Sequence, residues 1–320
     1  CKYMKYKSNI THLSSSENNI DKKVSAELNE KGVVVVDNFI TKNQCDELMM
    51  LFKEKQLENS NNLTFVHVKD AKFFSNALGS SKAAFDLVTS RMARQIAQSY
   101  LGESFRLKCH RAYELNKSYH FPWHTDNKYD NKKNDERGIV IIVYLSDTKE
   151  GATEFVLGSH KFSNNFDKNN YSRAYIKNNY SDLLAQARAK AGSAVISDIS
   201  VIHRGGLSKK MNRRSSFWFQ IDANMNHAER LLINPEYLPK NVSENLASYL
   251  GFSSKFGLDV HPVTTNKGSY LPANLILRRL FKYLFLTLLI PVYYLKVITP
   301  EAIKIRIVSI FKKSNDWKNL

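Results

Sequence analysis

The chain has 320 residues, 43% hydrophobic and 24% charged, proportions of an ordinary globular protein that exclude a disordered or low-complexity one. Its 47 Lys and Arg against 30 Asp and Glu leave a formal charge of +17, which draws anionic partners such as phosphorylated metabolites or acidic membrane surfaces. No zinc-knuckle spacing, RNP-like aromatic motif or concentrated basic helix accompanies that charge, so no nucleic-acid partner is expected.

Residues 1–20 are polar and rich in Ser and Asn and read as a flexible arm. The chain opens on Cys1 with no apolar signal region behind it, so it is a fragment or Met4 is the start. Cys1, Cys45 and Cys109 are too few and too scattered for a disulfide framework, and a reducing, cytoplasmic setting is expected. "GVVVVDNFI" is a buried strand between Gly32 and Asp37. Thr41 then caps a helix whose Cys45, Leu48, Met49 and Phe52 fall at helical spacing. A second helix is predicted over Ser81 to Tyr100, stopped by Gly102.

Past Gly102 the texture changes to short strands: "SFRLKCHRAYEL", "GIVIIVYLSD", "ATEFVLGS", "GSAVISD" and "RSSFWFQID" are rich in β-branched and aromatic residues and separated by turn formers. Helices before a run of strands point to an α+β chain with a mainly β core, a sandwich or barrel. Three segments follow: the arm over 1–20, a main domain over 21–225, and a basic, amphipathic C-terminal extension over 226–320. In the extension, the uncharged run Tyr283 to Leu295 is shorter than the roughly 20 residues of a spanning helix, and Pro291 interrupts it. It reads either as a helix packed on protein or as a peripheral membrane contact through residues 275–313, on the cytoplasmic face.

The chemistry lies in "FPWHTD". In a strand, His124 and Asp126 share one face, although a surface histidine beside an Asx turn gives the same letters. His203, at the end of the apolar run "AVISDISVI" and before "RGG", supplies a third candidate. Two imidazoles and one carboxylate suit a non-haem Fe(II) oxygenase, and zinc hydrolases use similar sets. "MNRRSSFWFQID" then places Arg213 and Arg214 at a strand head, ten and eleven residues past His203. A guanidinium fork fits the far carboxylate of a dicarboxylate cosubstrate, and Ser216, on the same face as Arg214, adds a hydroxyl.

The phrases "FPWHTD", "GATEFVLGSHKF" and "HRGGLSKKMNRRSSFWFQID", with the opening "VVVVDNFITKNQCDEL", resemble the phytanoyl-CoA dioxygenase family of Fe(II) and 2-oxoglutarate-dependent oxygenases over about residues 30–222. Leu157 stands where the family often has Pro. The resemblance implies a double-stranded β-helix, or jelly roll, with flanking N-terminal helices. It further implies iron ligands His124, Asp126 and His203, and Arg214, or Arg213 one residue earlier, as the salt-bridge partner of 2-oxoglutarate. Only one of these neighbours can face the cavity. No catalytic residue is implied beyond the metal site. Asp126 argues for hydroxylation rather than halogenation, since related halogenases replace the acid with a small residue. Phe121 and Trp123 either wall the cosubstrate pocket or pack in the core; His120 reads as a neighbour of the ligands or a surface group, and His160 as structural. The substrate expected is a small or lipid-linked, anionic molecule oxidised with dioxygen, and the lysine-rich "NKYDNKKNDER" reads as a lid over it or a solvated loop. The rival classes are a jelly-roll binding module without iron and a metal-dependent hydrolase without 2-oxoglutarate.

Overall fold

The computed structural model describes residues 6–52, 65–68, 71–74, 77–115, 122–126, 137–148, 151–162, 170–206, 214–223, 231–252, 263–264 and Leu284. The chain divides into two units, Cys1–Tyr270 and Leu271–Leu320, and every described residue except Leu284 belongs to the first. The membrane contact expected over 275–313 therefore lies outside the described residues, Leu284 apart. Among the described residues no helix is long and apolar enough to cross a membrane.

The N-terminal arm is ordered from Tyr6 onward, a correction to the loose segment expected there. Strand β1 (His12–Ser14) pairs in parallel with β2 (Val33–Asp37), setting His12 against Val35 and Ser14 against Asp37. Between them runs α1 (Ile20–Lys31), whose few, scattered apolar letters give no long periodic run to read as a helix; it buries only Val24, Ser25 and Leu28. Gly32 ends it at φ 76°, with its N–H on the carbonyls of Glu27 and Leu28. A Cβ there would also lie 2.3 Å from Val201 and 2.5 Å from His160, so glycine is required twice over.

Helix α2 (Lys42–Met49) starts at the predicted Thr41, whose side chain and that of Gln44 exchange hydrogen bonds with each other's backbone N–H groups. The one helix expected over 81–100 is two, preceded by the short turn α3 (Ala77–Ser80): α4 (Lys82–Val88) and α5 (Arg91–Leu101). Thr89 and Ser90 make the break. The Thr89 hydroxyl donates back to the Phe85 carbonyl at 2.7 Å, while Ser90 accepts from the Ala93 N–H and opens a new helix.

The remaining strands are β3 (Phe65–Val68), β4 (Ala71–Phe74), β5 (Arg106–Leu115), β6 (Trp123–His124), β7 (Gly138–Tyr144), β8 (Glu154–Val156), β9 (Asn170–Tyr171), β10 (Leu184–Gln186), β11 (Ala194–Asp198), β12 (His203–Arg204), β13 (Arg214–Asp222), β14 (Leu232–Ile233) and β15 (Val263–Thr264), with α6 (Arg173–Tyr180) and α7 (Glu244–Leu250) between them. One sheet runs β1-β2-β11-β7-β13-β5-β4-β3 and a second β10-β8-β12-β6-β9. This is the jelly roll that was expected, an α+β chain dominated by its sheets.

Alternation along the strands builds two cores. Val34, Val36, Ile139, Ile141, Val143, Phe217 and Phe219 face the helices, packing with Leu28, Leu48, Phe85 and Ile96. Their neighbours Val33, Val35, Val140, Ile142 and Tyr144 face the smaller sheet and meet Phe155 and Ala185. Leu231, Ile233, Leu246, Tyr249 and Leu250 join the helix-side core. The domain therefore continues past the expected boundary at 225; those residues were hidden because none sits in a long periodic run.

Candidate metal centre

The smaller sheet brings the two candidate histidines together. His203 on β12 and His124 on β6 are direct cross-strand partners, and on its other side His203 faces Phe155 of β8. The imidazole centroids lie 4.4 Å apart, and Phe155 stacks on His203 at 5.8 Å. Asp126 completes the group: its carboxylate oxygens lie 3.7 Å from His124 Nε2 and 3.5 Å from His203 Nε2. One ligand atom from each of the three lies within 4.8 Å of the others.

Both rings have their tautomer set by backbone. His124 Nδ1 lies 2.7 Å from the Pro122 carbonyl, and His203 Nδ1 lies 3.0 Å from that of Val201. A carbonyl only accepts, so each Nδ1 carries the proton and each Nε2 lone pair points into the group. Burial, with His203 beside it, lowers the His124 pKa to about 4 against the opposing pull of Asp126 and the Pro122 carbonyl. His124 is therefore neutral near pH 7, the form a metal needs.

The strand argument for the His124 and Asp126 pairing needs correcting. Strand β6 ends at His124; Asp126 lies just beyond, and its N–H is held by the Ile199 carbonyl at 2.9 Å. The two side chains converge because a turn from elsewhere in the chain fixes Asp126, not because of strand periodicity.

Arg214 opens β13, which runs over the same nine residues as predicted. It is 8% exposed, and its Nη1 donates to the Gly151 carbonyl, while its Nε is buried with no hydrogen-bond partner among the described residues. Ser216, two residues on, sits between Tyr113 of β5 and Tyr144 of β7 in one cross-strand row. Burial raises the Tyr113 pKa; Arg214 and the Ser216 hydroxyl oppose the shift, and Tyr144 and Asp126 add to it. The phenol thus feels the guanidinium and the carboxylate together. The close approach of the loops here depends on Gly206, where a Cβ would stand 2.0 Å from the Ala152 carbonyl oxygen.

On the outer face of the same strands, Arg204 pairs with Glu154 at 2.6 Å and lies 4.6 Å over the Trp123 ring, and Tyr6 bonds the other Glu154 oxygen. Trp123 is thus core packing on the outside of the sheet, not a wall of the pocket. His160 is structural as read, its Nε2 near the Asn29 carbonyl at 3.3 Å.

A family model for phytanoyl-CoA dioxygenase (PhyH) matches residues 28–215, more than half the length. The chain belongs to the phytanoyl-CoA dioxygenase family. It is accordingly an Fe(II)- and 2-oxoglutarate-dependent oxygenase that acts with dioxygen on a small molecule. No curated protein matches this PhyH member. Solved structures similar to it include the non-heme alpha-ketoglutarate-dependent epimerase SnoN from nogalamycin biosynthesis, at 16% identity and TM-score 0.51 over 63% of this chain and 80% of that one. HygX from Streptomyces hygroscopicus follows at 14% and 0.51, over 65% and 89%. The carbocyclase SnoK from nogalamycin biosynthesis gives 15% and 0.50, over 64% and 84%. At these identities the likeness speaks to the fold alone.

The PhyH cofactors fit the residues present. Two imidazole nitrogens and a carboxylate are a donor set for Fe(II), and a buried guanidinium with an unpartnered Nε suits an anionic cosubstrate. Phe121, Arg213, His120 and residues 127–136 of the expected lid lie outside the described residues. Sequence reasoning missed Tyr113 and Gly151. Pairing β5 with β13 in register would have found Tyr113 opposite Ser216; nothing in the letters marks Gly151, whose contribution is a carbonyl.

Proposed function

We propose that this oxygenase hydroxylates an unactivated carbon of a small, anionic molecule. In this reading His124, Asp126 and His203 hold the iron, and Arg214 with Ser216 takes the far carboxylate of 2-oxoglutarate. The observation that supports it is the convergence of those three ligand atoms within 4.8 Å, with Asp126 and the buried Arg214 both acting on the Tyr113 phenol. Iron, when bound, supplies oxidative decarboxylation of 2-oxoglutarate to succinate and carbon dioxide coupled to oxidation of the substrate.

The chain's own residues do the positioning. The Pro122 and Val201 carbonyls fix the tautomer of both imidazoles and aim their Nε2 atoms inward. Arg214, anchored through one nitrogen on Gly151, offers its remaining donors to a carboxylate. Phe155, fully buried against His203, excludes water from one side. Retention of Asp126 favours hydroxylation over halide transfer, and the +17 charge favours an anionic substrate. SnoN is an epimerase and SnoK a carbocyclase, so product analysis belongs in the test.

The test is an anaerobic titration of the chain with Fe(II) and 2-oxoglutarate, watched for the weak visible charge-transfer band of the joint complex. Succinate release against acyl thioesters, phosphorylated sugars and lipid-linked glycans would follow, with mass analysis of the product for one added oxygen. Activity that survives without oxygen would instead favour a hydrolase, and no joint binding would favour a binding module.

A further inference from the structure

The second and third ligands hang on one short turn. Between β11 and β12, the Ile199 carbonyl takes the Asp126 N–H at 2.9 Å, and two residues on the Val201 carbonyl takes His203 Nδ1–H at 3.0 Å. Any rotation of this turn therefore moves a carboxylate and an imidazole at once.

Side chains from two other parts of the chain fix the turn. Asp198, 7% exposed, accepts the Ser200 N–H on Oδ1 at 2.7 Å and the Tyr100 hydroxyl on Oδ2 at 2.8 Å. Its own N–H goes to the Gly32 carbonyl at 2.9 Å, and Ser159 Oγ accepts the Ile202 N–H at 2.8 Å. Tyr100 is in turn held from the far side: Arg137 donates to its carbonyl at 2.9 Å and lies 5.0 Å over its ring. Arg137 precedes β7, whose first residue, Gly138, accepts the Ile199 N–H at 3.2 Å. The contacts form a closed ring through Tyr100, Asp198, Ile199, Gly138 and Arg137.

We infer that Asp198 and Tyr100 are positioning residues of the metal centre: the buried hydroxyl-to-carboxylate bond sets the turn whose carbonyls aim Asp126 and His203. Neither touches iron or substrate. The inference rests on the ligand assignment proposed above. Partners of this kind that orient ligands affect metal binding by about 10–100-fold when removed.

Tyr100→Phe and Asp198→Asn in the full chain test it, with Tyr249→Phe as control. Tyr249 is another buried helix tyrosine, whose hydroxyl donates to the Val88 carbonyl at 2.8 Å, away from the turn. Thermal unfolding, Fe(II) affinity and the energy of the Fe(II) and 2-oxoglutarate charge-transfer band are measured anaerobically. The expected result is comparable loss of stability in both tyrosine variants, with Fe(II) affinity about tenfold weaker and the band displaced only in Tyr100→Phe and Asp198→Asn. Should Tyr100→Phe, folded, keep the band and affinity of the unaltered chain, or Tyr249→Phe lose as much, the inference is overturned. Absence of the band from the unaltered chain would overturn the ligand assignment itself, a different outcome from an unchanged variant.

Discussion

His124 and His203 face each other across β6 and β12 with their ring centroids 4.4 Å apart, each aimed by a backbone carbonyl at Nδ1. Two inward-facing lone pairs beside a carboxylate, one on half-buried His124 and one on buried His203, are a poor arrangement on their own and a good one around a cation. Adding a divalent ion must therefore stabilise the folded chain. With Ni(II) as a redox-quiet probe at 100 times its dissociation constant, the gain is about 2.7 kcal/mol, read as a rise in Tm. His203→Ala should show no such rise; an equal rise would put the ion elsewhere.

Arg214 is buried, holds the Gly151 carbonyl through Nη1 and leaves Nε unpartnered. Removing one member of a buried, hydrogen-bonded charge pair costs about 2–5 kcal/mol, so Arg214→Ala should raise the 2-oxoglutarate requirement by ~30-fold or more. Arg214→Lys keeps the charge but loses the fork and should recover only part of it. Steady-state kinetics with 2-oxoglutarate as the varied reactant would show this. An unchanged KM in both variants would remove Arg214 from the site.

Much of this was legible beforehand, and the reasons differ by element. The four valines of β2 read as a strand because burial on both faces leaves almost no polar letters, and β13 because the aromatic run Phe217, Trp218 and Phe219 marks its centre. The ligands were legible as residue types at a spacing, yet the reason given for Asp126 was wrong, because a two-residue strand cannot carry it and the Ile199 carbonyl does. Helix α1 was invisible since a polar helix needs only three buried residues when α5 and the sheet cover one face. Gly151 and the bond between Tyr100 and Asp198 were out of reach for a common reason: their partners lie 63 and 98 residues away, and no local pattern encodes such a pairing.

Tyr113 gives the next prediction. Its phenol shares a row with Ser216 and lies in the field of both Arg214 and Asp126, so a carboxylate seated on Arg214 meets a hydroxyl donor. A hydrogen bond to a charged group contributes about 1.5–3 kcal/mol. Tyr113→Phe, which keeps the ring, should therefore weaken 2-oxoglutarate binding by roughly 10-fold to 100-fold while leaving Fe(II) affinity in place. Equal loss of both would mean that the phenol supports the fold around the ligands instead of the cosubstrate.

His110 sets an acid limit on the fold away from the site. Its Nε2 accepts the Leu78 N–H, its Nδ1 has no partner among the described residues, and its ring stacks on Phe217 in the helix-side core. Burial, with a smaller contribution from neighbouring Arg111, lowers its pKa from 6.5 to about 3. The folded state thus binds fewer protons than the unfolded chain between those two values. This contribution to stability is complete above about pH 6.5 and is lost as pH falls toward 3, with a slope of up to about 1.4 kcal/mol per pH unit. His110→Gln keeps an acceptor for Leu78 but cannot titrate. Urea unfolding of the metal-free chain at pH 7 and pH 5 should show a shallower loss of stability in the variant, because one proton fewer is taken up on unfolding. Identical pH slopes in the two proteins would show that His110 is already protonated in the folded chain, and that the core around Phe217 tolerates its charge.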